Sequence, residues 1–81
     1  MENILTKVVI CINNSGCDDL ELLKIYQVLP DESAAKNSYL RVIDESGEDY
    51  LYPESNFTII NLSPSQEKIL FPLLKKDKNN L

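Results

Sequence analysis

The pattern of apolar and polar positions changes several times along this chain, and each change marks an element. Lys7 to Asn13 is the clearest strand: β-branched and apolar, ended by the turn-forming run Asn13-Asn14-Ser15-Gly16. Val8, Ile10 and Ile12 share one face and Val9 and Cys11 the other, so both faces are apolar and the strand is expected to be well covered. Asp18 to Leu23 is ambiguous, because Leu20, Leu22 and Leu23 fit neither a two-residue nor a helical period. Ile25 to Leu29 reads as a second strand closed by Pro30, and Asp31 to Ser38 as a polar loop with room for one helical turn.

Tyr39 to Asp44 alternates, and Asp49 to Tyr52 resumes after Glu45-Ser46-Gly47-Glu48. Gly47 supplies the positive φ that a tight hairpin turn requires. Pro53 to Asn56 predicts a single 3₁₀ turn, and Phe57 to Leu62 a last strand. Five short strands with polar turns predict a mostly β fold, a small antiparallel barrel over residues 1–62, since an open sheet would leave unpaired backbone edges. The remainder, 63–81, predicts a short helix and a flexible basic tail. Ser63 can cap, Pro64 suits the first helical position and Gln66 completes a capping box. Pro72 is expected to stop that helix near Phe71; were helicity to resume beyond it, Ile69, Leu70, Leu73 and Leu74 would lie close together.

Length and composition narrow the picture. Eighty-one residues allow one domain, and an apolar content of 43% is ordinary for a globular chain. No apolar run approaches the roughly 20 residues of a membrane helix, and no secretory signal is visible behind Glu2, so a cytoplasmic protein without membrane contact is expected. The net charge is −5, and three Lys and one Asp within residues 75–81 leave −7 on residues 1–74. That balance argues against nucleic-acid binding and permits a basic protein partner.

Candidate chemistry is sparse. With no His, acid–base catalysis would fall to carboxylates, Tyr, Lys or a thiol, and Cys17 beside Asp18 and Asp19 is a poor nucleophile because negative neighbours raise a thiol pKa. Cys11 and Cys17 are expected as reduced thiols, with a disulfide between them as the alternative. Asp44, Glu45, Glu48 and Asp49 crowd one hairpin without the spacing of a calcium loop, and read as solvated turn residues; Arg41 can pair across the hairpin with Glu48 or Asp49. The reading is thus non-enzymatic, with no cofactor and no metal.

The run Asp49 to Ile59, through the hairpin, the corner and the final strand, resembles the end of a Src-homology-3-like barrel, and the most distinctive block of the likeness is Leu40 to Pro53. Val9 to Gly16 followed by Lys24-Ile25-Tyr26-Gln27-Val28 is also similar to a group of uncharacterised small bacterial proteins. The likeness covers residues 7–62 and implies an architecture. Two departures count. Leu23 stands where such proteins carry Gly in the turn before the second strand, which implies either an altered turn or an exposed apolar contact. The Trp of a peptide-binding groove is missing, so proline-rich recognition is not implied.

The expected function is protein interaction or regulation through an acidic, Tyr-rich surface, with Asp18, Asp19, Glu21, Tyr26, Tyr50, Tyr52 and Glu54 as candidate contacts. Asp31, Glu32 and Tyr39 belong to the same wider set, and the opposing view is that most of the tyrosines cover a small core. Leu70 and Leu73 are candidates for a second contact, since Ile69 to Leu74 is more apolar than a loose tail should expose. Packing on the barrel, pairing with a second copy, or insertion into a larger complex as an accessory subunit would each cover it. A small phage-type inhibitor of a basic protein is a further version.

Overall fold

The structure, a computed structural model, describes residues 8–79, with side chains placed to residue 74. Lys7, expected to open the first strand, and Asn80 and Leu81 lie outside the described residues. The elements are β1 (Val8–Cys11), β2 (Ile25–Leu29), α1 (Glu32–Lys36), β3 (Tyr39–Ile43), β4 (Asp49–Pro53), a 3₁₀ turn (Glu54–Asn56), β5 (Phe57–Ile60) and α2 (Pro64–Asn79). All strands pair antiparallel in one sheet of order β4-β3-β2-β1-β5.

This order forces the sheet to curl. In a flat sheet with strands about 4.8 Å apart, β4 and β5 would stand roughly 19 Å from each other. Only the 3₁₀ turn joins them, and four residue steps reach at most about 14 Å even when extended. The rings of Tyr52 and Phe57, one from each edge strand, accordingly meet edge-on with centroids 6.2 Å apart. Inside the curl lie Val9, Cys11, Leu20, Tyr26, Val28, Val42 and Phe57, with Cys17, Leu40 and Tyr52 packed against them. Val8 is also buried although it faces the opposite side of β1, so both faces of that strand are covered.

Residues 32–36 take up the helical turn for which the polar segment had room, because the Asp31 carboxylate accepts a hydrogen bond from the Ala34 N–H at 3.0 Å and caps its start. One local expectation changes: α2 does not stop near Phe71 but passes through Pro72 and continues to Asn79. Proline removes the bond to the carbonyl four residues back, that of Lys68. Both residues are exposed, so water can satisfy that carbonyl. Meanwhile the half-buried Glu67, Leu70, Phe71 and Leu74 keep one face turned inward on both sides of the proline, in a helix that lies against β2. The start of α2 follows expectation: Gln66 N–H donates to Ser63 Oγ at 3.2 Å and Ser63 N–H to Gln66 Oε1 at 3.0 Å, a complete capping box. Among the described residues no helix is long and apolar enough to cross a membrane.

Candidate functional site

Two connections meet at one end of the sheet: the long β1–β2 loop, residues 12–24, and the tight β3–β4 turn, residues 44–48. The turn is built on a buried carboxylate. Asp44 was expected among solvated acidic residues, yet it is fully buried. Its Oδ1 accepts the Ser46 N–H at 2.9 Å and the Ser46 hydroxyl at 2.5 Å, while its Oδ2 accepts the Tyr52 hydroxyl at 2.6 Å. Gly47 completes the turn at φ +87°, its N–H donating to the Asp44 carbonyl at 2.9 Å. A charge excluded from water needs such a set of donors to persist. Burial first, then the bond to Asp44, pushes the Tyr52 hydroxyl well above its ordinary pKa and keeps it a donor.

Glu45 ties the turn to the loop. Its N–H donates to the Asp19 carbonyl at 2.9 Å, and its Oε2 accepts both the Tyr26 hydroxyl at 2.6 Å and Lys24 Nζ at 2.9 Å. The Tyr26 oxygen in turn accepts the Glu21 N–H at 2.8 Å. Burial and the adjacent Glu45 carboxylate raise the Tyr26 pKa. Tyr26, expected at the contact surface, is only 3% exposed: its ring is core and its hydroxyl a clamp between two connections. Tyr52 is half-buried and similarly engaged, so neither ring stands free at the surface.

The remaining candidates divide by element. Asp18, Asp19 and Glu21 are exposed on the β1–β2 loop, and Glu54 is exposed on the 3₁₀ turn. The Asn56 carbonyl accepts the Ile12 and Asn13 N–H groups at 2.8 and 3.2 Å, joining the end of the 3₁₀ turn to the start of the loop, while the Glu54 N–H donates to the Ser38 carbonyl at 2.9 Å, at the end of the β3–β4 hairpin opposite the 44–48 turn. Tyr50 is exposed on β4, its hydroxyl donating to Glu48 Oε1 at 3.1 Å; that bond, with the charges of Glu48, Asp44 and Asp19, raises its pKa. Arg41 bonds Asp49 Oδ2 at 3.0 Å, as the hairpin reading allowed, and Asp31 Oδ2 at 2.8 Å. Leu70 and Leu73 belong to α2, where Leu70 is half-buried and Leu73 is 54% exposed.

Leu22 and Leu23 were missing from the candidate set. They are 55% and 78% exposed, and Leu23 holds φ +64°, the left-handed backbone that glycine adopts freely. For a residue with a Cβ this costs about 1 kcal/mol. The sequence carried two signals: three leucines without a period, of which only Leu20 enters the core, and Leu23 at a turn position expected to hold Gly, read as an altered turn or an exposed apolar contact. Both cysteines are free thiols, Cys11 buried and Cys17 half-buried, and burial raises the Cys11 pKa. Among the described residues no three Cys, Asp or Glu side chains converge as ligands of a cation would. No protein-family model, curated protein or solved structure matches this chain.

Proposed function

We propose that this chain is a Src-homology-3-like small barrel that acts without catalysis, as a protein-interaction or regulatory module for a basic partner. The observation that carries the reading is the acidic end of the sheet, where exposed Asp18, Asp19 and Glu21 of the β1–β2 loop accompany Glu48 and Tyr50 of the hairpin, the loop and the turn being joined by the Glu45 N–H to Asp19 carbonyl bond. Two nearby cations, Lys24 and Arg41, are already engaged by Glu45, Asp31 and Asp49. The surface therefore presents negative charge outward, which steers association with a positive surface. The three-residue link between the two edge strands supports the barrel architecture.

The test is affinity against salt and charge. A partner captured by the tagged chain from its own host at low salt is purified, and its affinity is measured up to about 0.5 M salt, where exposed charge pairs are screened. Affinity should fall steeply with salt and by about tenfold or more on joint Asp18→Lys and Glu21→Lys substitution. Affinity indifferent to both contradicts the proposal. A second reading, an accessory subunit held in a larger complex by α2, is favoured by one observation: Ile69 and Leu73, one helical turn apart, are 66% and 54% exposed. Binding that resists salt and is lost on Leu73→Asp would select it.

A further inference from the structure

The acidic surface does not account for the exposed pair Leu22–Leu23. The interior takes Leu20 from the same segment and neither of these two. Their position is fixed rather than loose, since the Leu23 N–H donates to the Cys11 carbonyl at 2.7 Å, next to the exposed Ile12. The same loop carries Asp18, Asp19 and Glu21, all three exposed. The one cation of the loop, Lys24, reaches Glu45.

From this arrangement we infer that Leu22 and Leu23 anchor a docking surface whose occupant is a partner protein bearing an apolar socket rimmed by Lys and Arg. The inference rests on the interaction reading above and narrows it to an anchor and a partner chemistry. Charge complementarity selects the occupant. Seating the leucines brings the loop's three carboxylates, Asp18, Asp19 and Glu21, toward the partner, and only a basic rim compensates them as they lose water. A second copy meeting this face with its own would set acid against acid. An anionic lipid surface would repel it.

The experiment places p-benzoylphenylalanine at position 22 of the full chain in its own host and identifies the photo-adducts. The cross-linked protein is then purified, and its affinity is measured for wild type, Leu23→Gly, Leu23→Asp and the triple variant Asp18→Asn, Asp19→Asn, Glu21→Gln. The expected adduct is a different protein, cross-linked at an apolar patch flanked by Lys and Arg. Leu23→Gly should weaken binding about tenfold or more while the melting temperature holds or rises, since glycine relaxes the backbone. Leu23→Asp should weaken it further. If both Leu23 variants bind as wild type while the triple variant is weakened, the leucine anchor is overturned and the acidic reading stands. If all three bind as wild type, both fall. Adducts confined to a second copy of the chain, or no adduct at all, also overturn the anchor.

Discussion

The β3–β4 turn and the β1–β2 loop sit side by side and are built on opposite terms. The turn takes a carboxylate out of water and satisfies it with donors from Ser46 and Tyr52; the loop leaves two leucines in water and holds one in left-handed backbone. A group with every bond made and no exposure serves the fold. An exposed apolar side chain on a strained backbone gains the fold nothing, and its return lies elsewhere. The contrast shows where stability and recognition separate in a chain of 81 residues.

The largest expected effect is on the turn. Asp44→Ala strands the Tyr52 hydroxyl and the Ser46 N–H and should cost about 3 kcal/mol in urea unfolding. A loss under 1 kcal/mol would break the comparison. Next, Tyr26→Phe removes the clamp between turn and loop and should cost about 1–2 kcal/mol, with Tyr52→Phe similar. Combining Tyr52→Phe with Asp44→Ala should cost less than the two separately, because both act on one bond.

Smaller effects are read from pH. The Ala34 N–H first, then Arg41, holds the Asp31 carboxyl below its ordinary value of 3.8. A depressed carboxyl adds stability above that value and loses it as pH falls through the folded pKa. The acid limb of a pH–stability profile should therefore flatten in Asp31→Asn. Tyr26 and Tyr52 are raised, so the opposite sign holds: their contribution is full below their ordinary value of 10.0 and declines as pH rises beyond it. Tyr26→Phe should flatten the alkaline limb.

Most of the fold was legible because strand period, turn chemistry and capping are local. Ile25 to Leu29, the hairpin around Gly47, the 3₁₀ corner and the Ser63–Gln66 box each declare themselves within a few residues. Long-range facts were not legible. Nothing near Asp44 announces that Tyr52 will cover it, nor near Tyr26 that Glu45 arrives from another connection. Pro72 misled for a related reason: the local penalty is real, but the inward face of α2 continues beyond it. The aperiodic leucines and a Leu at a glycine position showed that Asp18 to Leu23 was unusual and singled out Leu23, but the fold was needed to place Leu20 in the core and leave Leu22 exposed.

The smallest expected effect is the most telling. Stability of the full chain carrying Leu23→Gly, measured by urea unfolding beside wild type and Asp44→Ala, asks directly whether the loop leucine belongs to the fold or to its surface. The prediction is a midpoint at or slightly above wild type for Leu23→Gly, with that of Asp44→Ala far below. A Leu23→Gly midpoint that falls as far as that of Asp44→Ala would contradict the division of labour between loop and turn.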